Sequence, residues 1–352
     1  MRRIVLLAMG LLVAAPAANA ADMLEWLDSS ISSVKNAKAP ADSAGLLTLE
    51  NKESEMYPMP SPDGKHLLTL TQQGKKVWIA RRVSENGDPV NLVSNDERAV
   101  DSIGWKNDGQ VYYLSDRAGG LGLWEKISDG EGMQRRIQPL HGGITQPIVL
   151  ADEAVIAVRL KPLNYKKSKL NHDNRDYFNN WEYEGFASEI VRFDKDGSEK
   201  VLADGINPAL SPDGNSIVFA MAAGRSIHLF RIDTDGSNLI QITDARSDDV
   251  QPSWSSDGKW ILFTSNRANA DLKHQGKSQW DIWAIGANGR NLTQITFNEG
   301  RDGAARMDKN GHIYFHSDRA VSRDMAAQHQ VKSASSHSFH IWSIDWIAKP
   351  QQ

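Results

Sequence analysis

The chain has 352 residues, 40 Lys+Arg against 44 Asp+Glu for a net charge of −4, and no cysteine. The missing cysteine excludes disulfides, c-type haem attachment, thiolate metal sites and a lipid carried on a cysteine. The acidic balance leaves no electrostatic footprint for nucleic acid, and the length is enough for one large core or two.

Residues 1–20 read as a secretory signal. Arg2 and Arg3 form a basic start, residues 4–15 an apolar run, and Ala18-Asn19-Ala20 a small-residue cleavage site. The run is short for a membrane span. Cleavage after Ala20 is expected, giving a soluble exported chain with no membrane span, in a bacterial periplasm. Residues 21–37 place Leu24, Leu27, Ile31 and Val34 on one helical face, either packed on the domain or offered to a partner. Residues 38–43 read as a linker and residues 46–49 (LLTL) as a short strand with no neighbour in sequence. The expected organisation is a signal over 1–20, a helix and linker over 21–45, and one domain over 46–348.

Residues 251–267, QPSWSSDGKWILFTSNR, carry the pattern of that domain. Asp257-Gly258 predicts a two-residue hairpin turn between antiparallel strands. Trp260 and Leu262 then point one way, Ile261 and Phe263 the other. A strand apolar on both faces belongs to a sheet sandwiched between two others. Equivalent turns recur at Asp63, Asp108, Asp152, Asp213, Asp257 and Asn310, roughly 44 to 60 residues apart, about the pitch of a four-stranded propeller blade. The third unit is degenerate, with strands expected at 146–150, 154–159, 189–193 and 200–202. The sixth runs out after three strands, and residues 46–49 are expected to complete it, closing the ring and protecting its edges. The predicted fold is all-β: a six-bladed propeller of four-stranded antiparallel blades.

The phrases SPDGKHLLTLT, SPDGNSIVFAM and SSDGKWILFTSNR, with the blade endings NLIQIT and NLTQIT, resemble the beta-propeller repeats of the TolB family and of prolyl oligopeptidase-like enzymes. The resemblance covers residues 46–346. TolB carries an α/β domain ahead of its propeller, for which residues 21–43 are too few. The peptidase relatives carry a hydrolase domain with a GxSxG elbow, and this chain has none. The resemblance implies a propeller alone, and fold does not fix function.

Several groups are candidates for chemistry. Ser115-Asp116-Arg117, Ser265-Asn266-Arg267 and Ser317-Asp318-Arg319 recur from unit to unit, so they are read as scaffold, each arginine on a carbonyl or a carboxylate. DKDGSE at 194–199 and DTDGSN at 233–238 lack the full calcium ligand set and are read as hairpin turns. His312, His316, His329, His337 and His340 accumulate late without a zinc spacing, and His316 and His340 are expected to face each other across a sheet. No cofactor or metal is expected. The insertion 164–188 is rich in aromatics, among them Tyr177 and Trp181, which suit a recognition surface or a loop that folds back over its own blade; on the first reading Trp181→Ala weakens partner binding without altering melting, on the second it lowers melting and spares binding. The connections from each fourth strand to the next first strand carry Arg98, Asp101, Arg246, Asp249, Arg301 and Asp302, expected to ring one mouth of the channel and hold a partner or ligand.

These features are read as a periplasmic scaffold for a protein or peptide partner. The alternative is a propeller enzyme, a polysaccharide lyase or hydrolase, using Asp249 or Asp302 as acid or base at the channel mouth. A third reading is a gating subunit for a separate peptidase.

Overall fold

In a computed structural model of the chain, residues 42–50, 53–74, 76–94, 102–115, 118–126, 133–163, 177–268, 279–331 and 338–346 are described. The expected signal, the helix over 21–37 and most of the linker lie outside them.

Apolar residues on both faces of successive strands force sheet-on-sheet packing, and six four-stranded antiparallel sheets result. Blade 1 comprises Ser54–Pro60, His66–Gln73, Lys76–Val83 and Pro89–Ser94. Blade 2 comprises Ile103–Trp105, Val111–Ser115, Gly122–Lys126 and Arg135–Pro139. Blade 3, degenerate in sequence, is regular in space: Gly143–Val149, Val155–Pro162, Phe186–Phe193 and Glu199–Asp204. Blade 4 comprises Ile206–Leu210, Ser216–Ala223, Ser226–Asp233 and Ile240–Gln241, and blade 5 Asp249–Trp254, Trp260–Ser265, Asp281–Gly286 and Thr293–Gln294. Blade 6 takes Asp302–Met307, His312–Ser317 and His340–Asp345, then closes on Gly45–Leu46 from the other end of the chain.

The second strand of blade 5 shows how the alternation works. Ile261 and Phe263 pack toward blade 4 with Phe219, while Trp260 and Leu262 pack toward blade 6 with Phe315 and Trp342. One strand thus feeds two cores.

The first hairpins are wider than the sequence suggests. Ser61, Ser211 and Ser255 donate their N–H to the carbonyls of His66, Ser216 and Trp260, so four residues, not two, lie inside each turn. The cause is a side-chain bridge: each serine hydroxyl donates to the aspartate two residues on, at 2.6, 2.5 and 2.6 Å. Gly64, Gly214 and Gly258 then take φ near 70–76°, which glycine reaches without strain. DKDGSE and DTDGSN are hairpin turns, closed by Asp194 on Ser198 and Asp233 on Ser237.

The seam between blades 6 and 1 is built differently from the other interfaces. Gly45 pairs with Ser343 and Leu46 with Trp342. The strand is two residues long rather than the four expected over 46–49. At Thr48 the chain leaves the ladder because its hydroxyl accepts from Ile341 N–H (3.1 Å) and donates to Glu55 (2.7 Å). The apolar cluster there is small, comprising Leu47, Leu67, Tyr314 and Ile341. Beside it Glu55, fully buried, holds Arg82 at 2.8 Å.

Candidate functional site

The innermost strands surround the axis, and five of them share a defect. Tyr57, Gln146, Asn207, Gln251 and Ala304 have φ between 50° and 53°, each at a break in register with the second strand. Side chains rarely adopt this conformation, which persists only where surroundings hold it. Here the holding groups form a relay from blade to blade. Ser102 Oγ accepts from Gln146 N–H at 2.7 Å, and Gln146 Oε1 accepts from Asn207 N–H at 2.7 Å. Asn207 Oδ1 accepts from Gln251 N–H at 3.3 Å, and Gln251 Oε1 from Ala304 N–H at 2.8 Å. His316 Nδ1 accepts from Tyr57 N–H at 3.1 Å, carrying the relay across the seam. The sequence reading missed these residues. Their signal is a repeated residue–proline pair: Tyr57-Pro58, Gln146-Pro147, Asn207-Pro208 and Gln251-Pro252.

At the end where the innermost strands begin, the channel is filled by the tail of the long insertion. Tyr177–Asn179 form a 3-10 turn that delivers Phe178 and Asn180 to the axis. Gln251 Nε2 donates to Phe178 O and to Asn180 Oδ1, both at 3.0 Å. Gln146 Nε2 donates to Asn180 O at 3.0 Å, and Asn207 Nδ2 to Asn180 Oδ1 at 3.1 Å. Phe178, fully buried, stacks on Phe339 at 5.5 Å and meets Trp181 and His316 edge-on at 5.4 and 5.6 Å. The segment is therefore tied to blades 3, 4, 5 and 6.

The other end is open. A cavity of about 360 Å³ lies below Asn180 and reaches the first-hairpin face, where Asn107, Pro212 and Ser256 are exposed. Its walls carry Tyr57, Met59, Leu70, Trp105, Tyr112 and Trp254. The indole N–H groups of Trp105 and Trp254 are spent on Met59 O (2.8 Å) and Ala209 O (3.1 Å) of the preceding blade. The rings therefore present apolar surface. Arg306 is the only ionised side chain among the described wall residues. It donates to Ala305 O at 2.9 Å, and no carboxylate among the described residues pairs with it. Burial pulls its pKa down to about 10, so it stays cationic at neutral pH.

Of the residues expected to ring the channel mouth, four are described: Arg246, Asp249, Arg301 and Asp302. Arg98 and Asp101 lie outside the described residues. Asp249 is fully buried, holding Arg267 at 2.6 Å and accepting from Ser265 Oγ at 2.6 Å. Asp302 repeats this one blade on, fully buried with Arg319 at 2.7 Å. Both arginines lie over two rings, Phe263 and Trp283 or Phe315 and Trp342. The two aspartates are blade fasteners, because a carboxylate buried at this depth needs a cation and cannot face a ligand as well. The Ser-x-Arg triplets at 265–267 and 317–319 complete them. Arg301 is half-buried, paired with Asp318 at 2.8 Å and lying 5.0 Å over Phe178. Arg246 is exposed. Tyr177 opens the 3-10 turn, and Trp181 is 7% exposed, packed on Trp280 at 5.0 Å.

His316 and His340 do not face each other. His316 pairs in register with Ile341 and His340 with Ser317, so they project from opposite sides of the sheet. A second acidic centre, Asp281 beside Asp302, is fully buried; burial and then the Asp302 charge push the Asp281 pKa up to about 8. Neither aspartate lines the axial cavity.

Comparison with known proteins agrees with this architecture. Residues 194–338 match the family model described as the TolB beta propeller domain. A stretch of 68 residues is 40% identical to dipeptidyl-peptidase 5 of Porphyromonas gingivalis, covering 18% of this chain and 10% of that protein. The chain spans no more than 30% of the length of the first curated relatives it matches. Among solved structures, a putative TolB from Agrobacterium tumefaciens is 19% identical with a TM-score of 0.49, over 84% of this chain and 91% of that one. An oligogalacturonate lyase from Vibrio parahaemolyticus is 12% identical with a TM-score of 0.50, over 87% and 95%. At such identities the likeness concerns fold.

Proposed function

We propose that the chain is a TolB-like binding scaffold of the cell envelope, exported to the periplasm, and that it takes a protein or peptide partner into the open end of its axial channel. The observation that carries this is the blind, aromatic-walled cavity with one uncompensated cation. Concave sites with apolar walls and few polar groups are the usual form of a binding site. Among the described wall residues there is no carboxylate or histidine to act as general base, so the arrangement supports holding a partner rather than breaking a bond. TolB-type sequence over residues 194–338 supports the same class.

The test is site-directed photocrosslinking in exporting cells. A photoreactive amino acid at Ser256, at the open mouth, is expected to trap one envelope protein in the periplasmic fraction. The same probe at Arg290, in an exposed outer turn, is expected to trap none. Equal trapping at both positions, or residence in the cytoplasm, would sink the proposal.

A further inference from the structure

We propose that the cavity receives a peptide by its C-terminal end, with the terminal carboxylate on Arg306. This rests on the binding role proposed above and specifies what enters.

The channel is closed at one end. Phe178 and Asn180 cross the axis and are bonded to strands of blades 3, 4 and 5, so nothing threads through. A chain entering from the first-hairpin face has to stop there. An end-on ligand is a chain terminus, not an internal loop.

Charge selects which terminus enters. A guanidinium offers paired donors that match a carboxylate, and Arg306 spends one of them on Ala305 O. Without a carboxylate among the described walls, an entering ammonium would meet a like charge in a poorly solvated space, which is costly. A carboxylate would complete the pair. The cation is half-buried in the cavity wall, and that burial lowers its pKa.

Size and lining suit the same ligand. A volume of about 360 Å³ is at the small end of binding pockets, enough for the last few residues of a chain and not for a folded module. Trp105 and Trp254 offer faces to apolar side chains near that terminus.

The experiment uses the full-length gene expressed for export and the protein purified from the cells. Fluorescent tetrapeptide pools, acetylated at the N-terminus, are titrated as free acid and as C-terminal amide. The free-acid pool is expected to bind at least tenfold more tightly. Arg306→Gln should reduce that ratio to below twofold with melting unchanged, and Arg306→Lys should restore part of it.

If acid and amide bind alike, and Trp254→Phe or Trp105→Phe weakens both, the terminal-carboxylate assignment fails and the cavity remains a binding site. If pools bind but neither tryptophan variant nor Arg306→Gln changes the affinity, the site lies elsewhere and the binding role of the cavity fails too. If no pool binds, or if benzoate or inorganic phosphate competes as strongly as the free-acid pool binds, the peptide assignment is overturned.

Discussion

The two ends of the channel are made from the same six strands and behave as opposites. At the closed end the side-chain amides of Gln146, Asn207 and Gln251 donate to Asn180 and accept from backbone N–H groups of the next blade, and aromatic rings fill what remains. At the open end the same strands have diverged toward their hairpins and expose rings and one cation. The difference teaches that blade symmetry does not determine which mouth is available. A single insertion in blade 3 decides it.

The largest expected effect is at the closed end. Phe178→Ala removes a fully buried ring and should cost about 3–5 kcal/mol, read as a drop in denaturant midpoint. Trp181→Ala should fall in the same range. This favours the folded-back loop over the reading in which Trp181 acts in binding alone, because its ring lies in the core. If either variant melts like the parent, the plug is ornamental and the channel has two usable mouths.

Acid should also act on the closed end. His316 is fully buried, and burial, aided by Arg301 and Arg306, holds its pKa down at about 3. A folded pKa below the unfolded value means that the unfolded chain binds the proton first. Stability is therefore lost as pH falls from about 6.5 toward 3, by a few kcal/mol at most. Protonation would also remove the acceptor that holds Tyr57. His316→Asn should flatten this acid limb in urea titrations between pH 7 and 4. An unchanged slope would show that other groups govern it.

Gln251→Ala should cost about 1–3 kcal/mol, because it removes the bonds to Ala304 N–H, Phe178 O and Asn180 Oδ1 and leaves Ala304 N–H only the longer bond to Thr264 Oγ1 at 3.3 Å. The same change should loosen the plug, seen as faster amide exchange at residues 178–181. At the open end Arg306→Gln should leave stability within about 0.5 kcal/mol of the parent, since no ion pair is lost. A large loss there would mean that the cation is structural and the two ends are less different than they look.

The scaffold was legible in the sequence because it rests on repetition. Alternating apolar residues in 260–265 named both neighbours of blade 5, and the Asp-Gly turns marked every blade in which they occur. The missing fourth strand of blade 6 followed from counting. The site was less legible. Asp249 and Asp302 look like rim charges until their arginine partners, from the next strand, are seen in space. The left-handed residues are half-hidden: a proline follows four of the five, but their φ is held by hydrogen bonds between blades. Trp181 reads as a contact residue because nothing in a linear string shows that its loop turns inward.

The closing strand carries a temporal consequence. Gly45–Leu46 is made well before its neighbour His340–Asp345, so the ring stays unfinished until that distant strand has emerged. Pairing partners this far apart assemble slowly. Until they meet, the bare flank of His340–Asp345 is a template for unwanted association. A cell making this molecule has to guard it during that interval, and crowding of half-made rings, rather than weakness of the finished one, is where yield will be lost.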